Sequence, residues 1–232
     1  MRNNTLKNRM TRGETIFGWV YMIAMQFVML PFMVMVEYFH IRISALGTNM
    51  IFFTLNLVLV VLFCHRFLAK SLRALGRSIG NTLAYSLAGF VIYWAMNIVV
   101  GLIIVLCFPD FTNANDAYIQ AMSGDGFWLL FVGTVVLVPI VEETIFRGAV
   151  FGSLDRVNRP LAYAVSVLLF SAVHVVGYIG TEDFTLTNAL VSLLQYIPPS
   201  ICLAWVYTKT DTIFASTLVH AAVNFLGMMA MR

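Results

Sequence analysis

Residues 83–108 read LAYSLAGFVIYWAMNIVVGLIIVLCF and contain no charged side chain. A helix needs about 20 apolar residues to cross the hydrocarbon of a bilayer, so this run is long enough to span one. Working outward, comparable runs stand at about 15–37, 46–64, 127–150, 161–180, 186–207 and 212–231, which predicts seven membrane helices. The stretches between them are short, and no linker, repeat or low-complexity segment sets off a second domain. Residues 1–232 therefore read as a single membrane domain, an all-α polytopic bundle. Composition agrees, with 60% of positions apolar and 11% charged, against about 25% charged in a soluble domain. Most side chains must meet lipid or one another instead of water.

A net charge of +3 is too small to call for nucleic acid as a partner. Its distribution says more, because lysine and arginine gather on the cytoplasmic side of membrane proteins. Arg2, Lys7, Arg9 and Arg12 precede the first run, and Arg66, Lys70, Arg73 and Arg77 form the loop after the second. Arg156 and Arg159 follow the fourth, and Lys209 the sixth. The alternate loops carry Asp110, Asp116, Asp125, Glu182 and Asp183, with Arg42 and the terminal Arg232 as exceptions. This alternation predicts a cytoplasmic N-terminus and an outer C-terminus. The basic start resembles a signal peptide, but the run behind it is too long, so it reads as an uncleaved span. Cys64, Cys107 and Cys202 sit in apolar stretches without metal-like spacing and read as small buried hydrophobes.

Ionisable groups deep in a span cost about 2.5–3.5 kcal/mol each, so they pair or line a site. Three patches hold nearly all the strong polarity of the last four spans: Val-Glu142-Glu143-Thr-Ile-Phe-Arg147-Gly, Phe170-Ser-Ala-Val-His174 and His220-Ala-Ala-Val-Asn224. Glu143 and Arg147 are four apart with the acid first, the favourable order for an intrahelical pair. That pair alone reads as structural. Glu142 points about 100° away and need not share the arginine. Two adjacent carboxylates with unequal partners divide into an acid–base group and a supporting one, which makes Glu142 the candidate base. His220 and Asn224 share a face and are suited to donate to an oxyanion. Phe170 and His174 share another face, and His174 alone suits a base, a donor or a ligand. Pro139 is expected to kink the helix near the carboxylates, and Pro198-Pro199 to break the sixth span beside Gln195 and Tyr196, which then line the opening or simply pack.

In that order on separate membrane helices, Glu-Glu-x-x-x-Arg, Phe-x-x-x-His and His-x-x-x-Asn resemble the CAAX prenyl protease and bacteriocin-processing (Abi) family of intramembrane glutamate endopeptidases. The resemblance covers about 126–231 and leaves the first three spans unmatched. It implies that Glu142 and His174 activate a water, that His220 and Asn224 form the oxyanion hole, and that Glu143 and Arg147 support the site. It further implies an integral protein of a bacterial plasma membrane and a membrane-associated peptide or protein as substrate. Maturation of small peptides or bacteriocin immunity are the roles suspected for compact members. No cofactor is required by this reading.

Two rivals stand beside it. Glu142, His174 and His220 are residue types that ligate zinc, although no His-Glu-x-x-His is present. Intramembrane acids and histidines also serve non-proteolytic transport, immunity or scaffold proteins, although no inverted repeat is visible. The sequence also yields a depth. Glu142 lies fourteen residues before Arg156, and His174 fourteen after Pro160. That is about 21 Å of helix from loops on the basic side. The site is accordingly expected between the midplane and the cytoplasmic edge, and entered from the cytoplasm or the inner leaflet.

Overall fold

Every predicted span is a helix in the computed structural model, which describes residues 6–179 and 184–232, with Met29 and Leu30 described in their backbone alone. Arg2, Glu182 and Asp183 of the charge count lie outside the described residues. The helices are α1 (Arg12–Tyr38), α2 (Ala45–Arg77), α3 (Ile79–Cys107), α4 (Ala114–Leu154), α5 (Arg159–Val176), α6 (Leu186–Thr210) and α7 (Ile213–Ala230). All seven are long and apolar enough to cross a membrane, and no strand occurs among the described residues. Large apolar side chains such as Leu87, Val91, Ile98, Leu102, Val105 and Leu106 stand exposed on α3. Such a surface is stable in lipid and not in water. The chain is an integral multi-pass membrane protein.

Helix starts follow local chemistry. Thr11 and Glu14 form a reciprocal capping box at α1, and Ser44, Asn113, Asn158, Thr185 and Thr212 accept from backbone N–H groups at later starts. Each satisfies donors that a helix leaves unpaired at its first turn.

Four expectations need correction, the first being that Cys107 is buried: Cys64 and Cys202 are, but Cys107 is exposed at the end of α3. The basic stretch after the second apolar run is not a loop: α2 continues to Arg77, with a kink at Cys64 (φ −112°, ψ 16°). Its Leu, Ala, Arg and Lys residues end the hydropathy signal but remain strong helix formers. The kink coincides with a backbone N–H at Phe67 that donates to Glu14 Oε1 at 2.8 Å. The fourth span begins earlier than its apolar run, at Ala114, because Asn113 caps it and a non-helical Gly126 joins a polar first segment to the apolar one. Pro198 and Pro199 do not break the sixth span, since α6 runs through both.

The termini of the helices define two unlike ends. At the end that carries the N-terminal arm, residues 6–11, the space between helices is filled. Asp211, in a left-handed conformation at the end of α6, accepts from the backbone N–H groups of Lys7 and Asn8 at 3.0–3.2 Å. Asn8 Nδ2 donates to Ser71 Oγ at 2.9 Å. Arg9 donates to Gly152 O at 2.6 Å and to Asp155 at 2.8 Å, and Arg159 meets the same carboxylate at 2.7 Å. Leu6 and Met10 join a core with Phe67, Phe151, Tyr207 and Ile213. α1 lies directly on α4 there: a Cβ added at Gly18 would fall 2.3 Å from that of Ala149, so only glycine permits this approach.

Candidate active site

The two adjacent glutamates sit in a short α-helical stretch of the second half of α4. Val138–Glu143 is α-helical, and wider π-helical turns flank it at Gly133–Leu137 and Thr144–Phe151. Pro139 stands where the first π turn passes into this α-helical stretch, so the expected disturbance of the helix takes the form of π turns. In the first π turn the Val138 N–H bonds to Gly133 O, five residues back. In that register Thr134 O would pair with residue 139, but proline has no N–H. The missing donor comes from α7, where Asn224 Nδ2 donates to Thr134 O at 2.9 Å. A sequence-local defect on α4 thus orients a side chain of another helix. π turns of this kind often occur at functional sites.

Arg147 and Glu143 are fully buried and meet at 3.3 Å between Nε and Oε2. Arg147 Nη2 also reaches the carbonyl and hydroxyl of Ser200, at 3.2 and 3.3 Å, and the guanidinium lies 4.6 Å from the centre of the Phe170 ring. The other Glu143 oxygen meets His220 Nδ1 at 3.1 Å. A carboxylate only accepts, so Nδ1 carries the hydrogen. Arg147, Glu143 and His220 form a chain from α4 to α7 that fixes the imidazole ring.

Beyond that chain lies Glu142. Its Oε2 is 3.8 Å from His220 Nε2 and 4.0 Å from His174 Nε2. The His174 Nδ1 is 2.8 Å from Phe170 O, a carbonyl that can only accept, so this ring too is tied down through Nδ1. Both Nε2 atoms thus turn toward one carboxylate oxygen that is buried and accepts no hydrogen bond from any described residue. These separations are too long for direct hydrogen bonds. Each gap has a width that one water with bonds of about 2.8 Å could span. Tyr196 stacks on the His174 ring at 4.2 Å between centroids, and Phe170 packs against both histidines at 4.8 and 5.9 Å.

The structure brings together Glu142, His174, His220 and Asn224 on one cavity of about 1620 Å³ that Phe170, Gln195 and Tyr196 also line. Glu143 and Arg147 stand behind it, fully buried. Gln195 and Tyr196 are not freed by a broken helix; they are held by Asn113 Nδ2, 2.8 Å from Gln195 Oε1 and 3.4 Å from the Tyr196 hydroxyl. Sequence reading missed Asn113, Ser200 and Thr134. Ser200 follows a proline pair, which marks that turn of α6. Asn113 and the Thr134 carbonyl have no signal in the sequence, because a loop amide and a backbone oxygen are ordinary until a fold places them.

The cavity reaches the end of the bundle opposite the basic loops, where entry was expected from the basic side. Cavity walls include Asp110, Thr112, Tyr178, Phe184, Thr185 and Met231, all at the end of the bundle opposite the N-terminus. No described residue of segments 6–12, 64–78, 151–160 or 204–218 lines it. The fourteen residues from Glu142 toward Arg156 do not lead into a mouth on the basic side, because Thr144–Phe151 is buried throughout and packs against α1 and the arm. Counting helix rise gave a depth but not which end is filled.

Zinc does not fit the site as built. Tetrahedral zinc with bonds of about 2.0–2.1 Å sets its ligand atoms about 3.3 Å apart. The carboxylate-to-imidazole gaps are 3.8 and 4.0 Å. Among the described residues no group of three His, Cys, Asp or Glu side chains is arranged to hold a metal ion.

Residues 124–226 match the model of the Rce1-like type II CAAX prenyl endopeptidase family, and that segment holds all three motifs. The chain is 33% identical over 97 residues to the UPF0177 protein YxdF of Lactococcus lactis subsp. lactis (strain IL1403), covering 42% of this chain and 47% of that protein. It is 25% identical over 150 residues to YbdI, another UPF0177 protein of that strain, covering 62% and 74%. It is 28% identical over 153 residues to the "Putative membrane peptidase YdiL" of Bacillus subtilis (strain 168), covering 63% and 55%. The alignment thus spans about half the length of YxdF and of YdiL. No solved structure matches. The family likeness carried by the motifs is borne out over the second half of the chain.

Proposed function

We propose that this protein is an intramembrane endopeptidase in which Glu142 and His174 activate a water against a peptide carbonyl. The observation that carries the reading is the convergence of His174 Nε2 and His220 Nε2 on Glu142 Oε2, at 4.0 and 3.8 Å, on the wall of a cavity large enough for a peptide. A water between Glu142 and His174 gives up a proton to that pair as its oxygen bonds to the carbonyl carbon. The carbonyl electrons move to oxygen. The resulting oxyanion meets His220 Nε2–H, whose imidazolium form is matched by Glu143 on the other side of the ring. It also meets the second N–H of Asn224, the first being given to Thr134 O. Each such donor contributes about 2.7–4 kcal/mol in a known case. Collapse breaks the carbon–nitrogen bond, and the stored proton passes to the leaving amine.

The family match and the YdiL likeness support a membrane protease. The Glu/His water mechanism, the assignment of residues and the substrate are our proposal. Its test is hydrolysis of a peptide library by the purified protein in lipid vesicles, with products read by mass spectrometry. The wild type is expected to cleave and Glu142→Gln and His174→Ala to be inactive while folded. Undiminished cleavage by Glu142→Gln overturns the reading.

A further inference from the structure

The closed end of the bundle is rich in lysine and arginine, the open end carries mainly carboxylates with Arg42 and Arg232 as exceptions, and the open end leads to the site. Around the filled end stand Arg9, Arg66, Lys70, Arg73, Arg77, Arg156, Arg159 and Lys209. By the distribution rule for lysine and arginine, that end faces the cytoplasm. The cavity runs the other way. Its described walls contain the carboxylates Asp110, Asp116 and Glu142 and not one lysine or arginine. Asp116 stands on this wall in the first turn of α4, where its backbone N–H donates to the capping Asn113 Oδ1 at 3.2 Å, and Tyr93, Tyr178, Tyr196 and His174 line the same cavity. Amides add to this wall: Asn97, Asn113, Asn115 and Asn188 line it. Opposite them α1 contributes Met22, Met25 and Met33, an apolar side for the same channel. A low-dielectric funnel lined by one sign of charge concentrates ligands of the other sign.

We infer that the cavity takes its peptide from the outer face of the membrane, and that Asp116 gives preference to a chain bearing lysine or arginine. This rests on the endopeptidase reading for the fate of the peptide, but not for its entry. An N-terminal arm bonded across Asp211, Ser71, Gly152 and Asp155 closes the cytoplasmic approach. Backbone of an extended peptide finds hydrogen-bonding partners in the amide wall, and its cationic side chain finds the Asp116 carboxylate. A neutral or acidic chain meets the same amides but gains nothing, or is repelled, at Asp116.

The experiment needs no hydrolysis. In a chain carrying Cys64→Ala, Cys107→Ala, Cys202→Ala and the inactivating Glu142→Gln, single substitutions Asn97→Cys, Asn188→Cys and Arg77→Cys are exposed to a membrane-impermeant maleimide. Intact spheroplasts are expected to label Asn97→Cys and Asn188→Cys. Only inverted vesicles are expected to label Arg77→Cys. Cavity cysteines that label solely in inverted vesicles, or in neither preparation, overturn outer-face entry, whatever the outcome of peptide hydrolysis. In the second arm a lysine-rich nonapeptide and a glutamate-rich one of equal length compete with labelling at Ser192→Cys. The lysine-rich peptide is expected to protect about tenfold better, the effect of one partly desolvated ion pair, and Asp116→Asn to remove the difference. Equal protection by the two peptides overturns the charge preference.

Discussion

The two ends of this bundle are built from the same seven helices and differ in what lies between them. At the basic end the described residues pack closely. Thr144–Phe151 is buried without exception, Arg9 and Arg159 share the Asp155 carboxylate, and the arm is bonded into Asp211. At the other end the helices diverge around a cavity of about 1620 Å³. The catalytic candidates lie at the boundary, with Glu143 and Arg147 on the solid side and Glu142 on the hollow side. One side of α4 therefore supplies rigidity to the other. A reacting group held by a packed half and presented to an open half is preorganised without being sealed from its substrate.

The sharpest way to break this division is to change each side of the boundary separately. On the hollow side, Glu142→Gln should lower peptide hydrolysis by about 10²–10⁴-fold, the range for losing a general base. Its thermal unfolding in detergent should stay at the wild-type temperature, and a large fall would mean that Glu142 belongs to the packed half. On the solid side the loss should appear in stability. Arg147→Met leaves Glu143 as a buried charge without its partner, which costs about 3–5 kcal/mol. The double variant Glu143→Gln with Arg147→Met should recover much of that, and a double-mutant cycle showing simple additivity would deny the pairing.

Smaller effects sharpen the comparison further out. Asp155→Asn should cost about 1–3 kcal/mol, because one buried carboxylate serves two arginines. Denaturation by a mild detergent series would reveal it, and an unchanged midpoint would show that the closed end does not depend on this link. The least change is expected from acid. Burial lifts the Asp211 carboxyl above its ordinary value, with N–H donors of Asn8 and Lys7 pulling the other way. A raised carboxyl adds stability below its unfolded pKa near 3.8, and that share is lost as pH rises through the folded value. Lowering the pH from about 7 to about 5 should therefore not release the arm. Hydrogen exchange at the Lys7 and Asn8 amides, corrected for intrinsic rate, would show release as lost protection.

Much of this molecule is legible before it folds. Apolar run length located all seven helices, and the spacing of Glu143 with Arg147 and of His220 with Asn224 indicated side chains on common faces. Hydropathy failed where helix propensity and polarity part company. Residues 65–77 are too charged to be a span and helical all the same, and Ala114 to Gly126 extends α4 through polar sequence. The direction of access was illegible for a different reason. Whether space between helices is full or empty depends on contacts such as Gly18 against Ala149 and Met10 against Phe67, which no single run of sequence records.

Pro139 carries a consequence of its own. The orientation of Asn224 is set by an atom that is absent, the amide hydrogen that every other residue type would bring to position 139. Alanine there would hand Thr134 O a donor from its own helix and put two suppliers in competition for one oxygen. The amide of α7 would then be free to turn, and its remaining hydrogen would no longer have a fixed address. In this protein a vacancy in one helix works as a positioning instruction to another.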